Sequence, residues 1–503
     1  MEDKYFLWFS ILLSLIVLLM LNLVKKIFKS DQITSDLPPG PWKLPIFGSI
    51  HHLFGSLPHH KLRELSKKYG PIMHLQLGET STIVISSKEI AQEVLKTNDL
   101  KFAQRYRFIG AEIVTYGCTN LVFSPYGDYW KELRKICTLE LLSTNRVRSF
   151  QSIRKEEVSN FIKNISSNTG SKINLSHEIL SLSYNIISRA AFGDKCKEQE
   201  AFTTFIKETA KMAESFSFTN LFPSQHWLHV ISGMIVKLRK IHKTGDEILE
   251  KIINNATTKT GGDGSLLSYL LNLNIHASPN RDGFHLTTNN IKAVIQDIFF
   301  AGSGTSATTL EWAFSEMLKN PRVLKKAQAE VRHVVGSKGY VDEINLQELK
   351  YLKAVIKETL RLHPPGPLLI PRECIENCVV NGYIIPAGTQ VLVNAWAIGR
   401  DPKYWNEGEK FNPERFIDCP IDYKGSNFEF IPFGAGRRMC PGILFAEVGM
   451  EFPLAQLLYY FDWGLPSGTS HENLDMTEAL GSEAKRKNDL FVIPISYNSV
   501  SLD

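Results

Sequence analysis

One cysteine set among glycines constrains this chain more than any other feature. Residues 430–442, FIPFGAGRRMCPG, hold Cys440 between Gly436 and Gly442 and run into an apolar helical pattern, ILFAEVGMEFPLAQLLYYF. A thiol there lies near a helix N-terminus, where the dipole favours the thiolate that an iron ligand must be. The glycines let the backbone approach a flat macrocycle, Phe433 can pack beside the sulfur, and Arg438 can pair with a haem propionate. A buried free cysteine in a glycine-rich turn is the plainer reading. It leaves the joint placing of Phe433, Gly436, Arg438, Cys440 and Gly442 without a cause.

The N-terminus constrains topology. Residues 5–24, YFLWFSILLSLIVLLMLNLV, carry no charge and are about long enough to cross a ~30 Å hydrocarbon layer as a helix. A cleaved secretory signal fits less well, because no small-x-small site follows and Lys25, Lys26 and Lys29 come directly after. Those lysines favour the cytosolic side, so the body is expected to face the cytosol. Residues 25–41 then form a linker ending in Pro38-Pro39-Gly40-Pro41, a stiff hinge that admits neither helix nor central strand. Residues 42–503 are expected to form one catalytic domain.

Within that body helical patterns dominate from about residue 58, as in HKLRELSKKYG and YWKELRKICTLELL. MHLQLG and STIVISS predict a hairpin turning near Gly78, and VVNGYIIPAGTQVLVNAWAI predicts short strands around Gly382 and Gly388. The fold class is therefore mainly α with a small β-rich subdomain. The longest helix is expected over Thr288–Lys319, capped by Thr287 or Thr288 and stopped by Pro321. Its interior holds Gly302 and Gly304, each costing about 1 kcal/mol against alanine. Something must lie close against the backbone there.

Other classes fare worse. A net charge of +5 without a long basic run does not favour nucleic acid. The seven cysteines are odd in number and scattered, as in a reducing compartment. Cys374 and Cys378 have zinc-like spacing but no second Cys/His pair nearby. Gly302-x-Gly304-x-x-Ala307 matches a dinucleotide-binding pattern, yet that motif needs a strand before it, whereas this stretch reads as one unbroken helix.

The cysteine segment resembles the Phe-x-x-Gly-x-Arg-x-Cys-x-Gly signature of the cytochrome P450 superfamily. Glu358-Thr-Leu-Arg361 resembles the family's Glu-x-x-Arg pair, and Trp130-x-x-x-Arg134 its propionate-contacting helix. The resemblance spans essentially the whole chain and is nearest to plant microsomal A-type members. KETLRLHPPGPLLIPREC and VNAWAIGRDPKYW look like those that oxidise terpenoids and monoterpene indole alkaloids. It implies a P450 fold preceded by one transmembrane helix, anchored in the endoplasmic reticulum with a monomeric catalytic unit on the cytosolic side. It implies heme b with Cys440 as iron ligand, Trp130, Arg134, Ala301, Phe433, Gly436, Arg438 and Gly442 around it, and a buried ionic cluster of Glu358, Arg361 and Arg415. Electrons from NADPH would arrive through a separate reductase, with Lys131 and Lys135 as candidate docking charges, and O2 would yield a hydroxylated or epoxidised product. A haem protein that carries electrons or senses gas is the remaining alternative.

One departure stands out. The family's oxygen groove pairs an acid with a threonine; here Thr305 is present but Gly304 takes the acidic position. Ordered water linking Thr305 to solvent, room for a bulky substrate, or a variant reaction would each account for that. The resemblance places a lipophilic substrate against Gly304, Gly366, Leu368, Leu369, Ile370 and Leu480.

Overall fold

The structure, a computed structural model, describes residue 14 and residues 36–193, 199–212, 218–257, 264–275, 286–479, 481 and 483–497. The expected anchor at residues 5–24 (Ser14 apart), most of the 25–41 linker and Leu480 lie outside them. Among the described residues no helix is long and apolar enough to cross a membrane.

Local rules place the elements. Helix α1 (Pro58–Tyr69) starts on a proline, whose missing amide costs nothing at a first helical position. Strands β1 (Ile72–Leu77) and β2 (Thr80–Ile85) form the expected hairpin in the register Ile72↔Ile85, turned by Gly78 at φ +61°. The chain continues through β3 (Gln104–Arg105), α2 (Asp128–Ile136) and α3 (Leu175–Phe192). The long helix α4 spans Thr288–Lys319, with Thr287 and Asn290 closing a capping box. After α5 (Lys350–Leu362) come β4 (Arg372–Glu373), the β5/β6 hairpin (Cys378–Val380 and Tyr383–Ile385) around Gly382, and β7 (Gln390–Val393) after Gly388. Helix α6 (Ile443–Tyr460) follows the cysteine segment.

The main sheet runs β1-β2-β7-β4-β3. Strand β7 joins β2 in parallel, Ile83 opposite Val391, and the other pairs are antiparallel. Helix α4 runs through the centre of the helical body, with Trp312, Ala313, Phe314, Met317 and Leu318 fully buried against α3, α5 and α6. Each such large side chain contributes ~1.5–3 kcal/mol of burial, which fixes α4 while its glycine-containing middle faces the site. A second core lies under the sheet, from Ile83, Ile85, Val391 and Val393 to Ile431 and Ala435 at the mouth of the cysteine segment. Cys374 and Cys378 sit in that core with sulfurs 3.9 Å apart, and among the described residues they gather no third metal ligand.

Candidate active site

The cysteine segment is a closed loop. The Cys440 amide donates to the Phe433 carbonyl at 2.9 Å, and the Gly442 amide donates to Sγ at 3.4 Å. Gly436 holds φ +69°, and a Cβ there would stand 2.1 Å from the Leu95 carbonyl oxygen, so only glycine fits. Gly442 is different, since a Cβ there would make an ordinary 3.8 Å contact with Sγ. Buried Asp99 clamps the loop, accepting from the Arg437 amide at 2.9 Å, the Arg437 guanidinium at 3.1 Å and Arg372 Nη1 at 2.9 Å. Burial pushes the Cys440 thiol up, against the smaller opposing effects of the Gly442 amide and Arg134. Helix α6 begins at Ile443, three residues beyond the sulfur.

Around this loop the fold gathers guanidinium groups. Arg105 and Arg372 face each other across the β3/β4 ladder, a placing that like charges disfavour. Arg105 donates to the Val122 and Ile370 carbonyls at 3.0 and 2.8 Å. Arg438 lies 4.2 Å over the Trp130 ring and donates to the Ala103, Leu121 and Ser124 carbonyls. Trp130 Nε1 also donates to Leu121, at 3.0 Å. Burial, then neighbouring Arg438, Arg372 and Arg134, pull the Arg105 guanidinium well below its ordinary value. Burial and the Arg372 and Arg134 charges hold Arg438 at about 9. Among the described residues no carboxylate pairs with Arg105, Arg134 or Arg438. A largely buried cationic cluster short of anions, beside the half-buried Cys440 thiol, fits a haem: two propionates for the guanidiniums and an iron for the sulfur.

The expected ionic cluster is assembled. Glu358 takes Arg361 in a bidentate pair at 2.7 and 2.8 Å, Arg415 Nε at 2.9 Å and the Asn412 amide at 2.8 Å. Arg361 adds the Gly399 and Gly408 carbonyls.

On α4, Ala301 is exposed midway along a largely buried helix. Thr305 Oγ1 donates back to the Ala301 carbonyl at 2.6 Å. Gly302 allows Ile187 of α3 to close in, to 2.8 Å from where a Cβ would be. Gly304 does not open free space for a substrate, because the Glu483 carboxylate occupies it. Two turns earlier, half-buried Asp297 accepts from Asn120 Nδ2 at 2.6 Å and the Val122 amide at 3.0 Å, and desolvation pushes it up to about 7.

Among the proposed substrate positions, a Cβ on Gly366 would meet nothing within 4 Å, so that glycine does leave space. Leu368 packs toward the β1 side of the sheet and Leu369, at φ +53°, toward the core beneath the cysteine segment. Ile370 is exposed. Lys131 and Lys135 pair with Asp128 and Glu132 on their own helix. No motif in the sequence singles out Asp99, Arg105, Arg372, Asp297 or Glu483.

The sequence profile of the cytochrome P450 family matches residues 38–490. Desmethyl-deoxy-podophyllotoxin synthase of Sinopodophyllum hexandrum is 52% identical over 495 residues, covering 97% of each chain. Tabersonine 6,7-epoxidase isoform 1 of Catharanthus roseus is 52% identical over 474 residues and 93% of each chain. A solved zebrafish cytochrome P450 structure with progesterone superposes with a TM-score of 0.75 at 26% identity, covering 88% of this chain and 100% of that one. The chain thus belongs to the cytochrome P450 family, as a monooxygenase among its plant A-type members.

Proposed function

We propose that this monooxygenase inserts one oxygen atom into a lipophilic plant specialised metabolite, a terpenoid or a monoterpene indole alkaloid, by hydroxylation or epoxidation. The observation that carries the reading is the closed Cys440 loop beside buried arginines that lack carboxylates. Cys440 Sγ would hold the iron, Trp130, Arg134 and Arg438 would hold the propionates, and Phe433, Gly436 and Gly442 would shape the loop around the sulfur. Heme b supplies the oxygen-activating chemistry, with NADPH-derived electrons delivered by a reductase. Ala301 and Thr305 would lie where oxygen is bound, and Gly366, with Leu368, Leu369 and Ile370 beside it, would orient the substrate. Glu358, Arg361 and Arg415 hold the loops that carry these groups.

Residues 5–24 anchor the enzyme in the endoplasmic reticulum membrane, residues 25–41 link, and residues 42–503 work on the cytosolic side. An exposed apolar surface supports membrane contact. It comprises Trp42, Ile46 and Phe47 with Trp227, Val230 and Ile231, the two groups being joined through the Phe47–Phe222 ring contact. Microsomes carrying the full chain and a plant NADPH–cytochrome reductase, given isotopically labelled O2 and a panel of terpenoids and indole alkaloids including tabersonine, test the proposal. One labelled oxygen per product molecule is expected. Oxidation without label incorporation across the panel would overturn it.

A further inference from the structure

Helix α4 carries glycine where the family's acid stands, yet a carboxylate is there. A Cβ built on Gly304 meets Glu483 Oε1 at 2.7 Å and Oε2 at 3.0 Å. An aspartate's own oxygens lie one carbon–carbon and one carbon–oxygen bond beyond Cβ, so Glu483 brings its carboxylate from a distant loop to about the place an acid at 304 would fill. That loop is tied down. Trp312 Nε1 of α4 donates to the Ala484 carbonyl at 2.7 Å, the Ala484 amide to the Pro365 carbonyl at 3.0 Å, and the Ala479 amide to the Lys485 carbonyl at 2.8 Å. The Glu483 side chain is only 12% exposed, while Lys485, 3.3 Å away, is 53% exposed. The carboxyl thus lies between the middle of α4 and a solvated cation.

We propose that Glu483 replaces the absent acid of α4 as the proton carrier of the groove, a role that rests on the monooxygenase reading above. In each cycle its carboxyl gives one proton, through water, to the Thr305 side and takes one back from solvent beside Lys485. Only O–H bonds form and break, and no electrons move. A merely structural Glu483–Lys485 pair is the competing account.

Two measurements on the full-length holoenzyme decide between them. The first is geometric and needs no turnover. Gly304→Ala should raise the melting temperature more in a Glu483→Ala background than in the wild type, because its Cβ displaces the carboxylate; equal effects in both backgrounds refute the placement. The second uses reductase, NADPH and tabersonine as probe, and reads the share of NADPH electrons released as hydrogen peroxide. Glu483→Gln should raise that share several-fold, and Glu483→Ala combined with Gly304→Asp should bring it back toward the wild-type share. An unchanged share in Glu483→Gln, or no recovery in the double variant, overturns the proposal. The carbon monoxide spectrum of the reduced wild type keeps the two readings apart: without a thiolate-ligated haem there, the monooxygenase reading itself fails.

Discussion

Replacing Glu358 with alanine isolates the energetic centre of the fold. Its carboxylate accepts both arms of Arg361, Nε of Arg415 and the Asn412 amide, and the Glu358 and Arg361 side chains are fully buried. Solvent screening therefore gives no relief. Removing one partner of such a pair leaves the other charge uncompensated, at about 3–5 kcal/mol. Against a total stability of ~5–15 kcal/mol that is a fifth or more of what holds the domain together. The assay is chemical denaturation followed by tryptophan fluorescence, with Arg322→Ala as reference. Arg322 is 65% exposed in its pair with Glu414, and its loss should cost about 0–1 kcal/mol. If Glu358→Ala is no more destabilised than Arg322→Ala, the claim that this cluster clamps the loops of the domain is wrong.

Two further outcomes follow from single positions. Gly436→Ala drives a Cβ into the Leu95 carbonyl at φ +69°, so the cysteine loop should shift and haem retention in the purified protein fall; full retention would contradict the steric argument. Asp297, raised by burial to about 7 from 3.8, favours the folded state while protonated. Its contribution is fully present below pH ~4 and is lost as pH rises through about 7. Unfolding midpoints should therefore decline over that window more steeply in the wild type than in Asp297→Asn, and parallel pH curves would refute the shift.

How far the sequence reaches depends on the range of the interactions. The Gly78 hairpin, the capped helix Thr288–Lys319 and the Glu358–Arg361 pair are written in periodicity, turn chemistry and i, i+3 spacing, and each is found in the structure. The parallel pairing of β2 with β7 and the β3/β4 ladder have no local signal, because hydrophobic alternation says a strand exists and not which strand it meets. Asp99 was invisible for the same reason: NDLKF reads as an ordinary helix end, and only the fold brings Arg372 and Arg437 to it. Arg105 likewise has no local signal, and only the ladder sets it opposite Arg372 in a buried site. Gly304 could be seen as a departure in the sequence. That Glu483, in a stretch rich in lysine and arginine, fills the space it leaves could not.

The sulfur of Cys440 bears the whole reading, and one spectrum examines it most directly. The reduced full-length protein in carbon monoxide should give the red-shifted Soret band of a thiolate-ligated haem, and Cys440→Ser should abolish that band while the fold persists by circular dichroism. A Cys440→Ser protein that keeps the band would mean that another ligand holds the iron, and the site built here around residues 430–442 would be the wrong one.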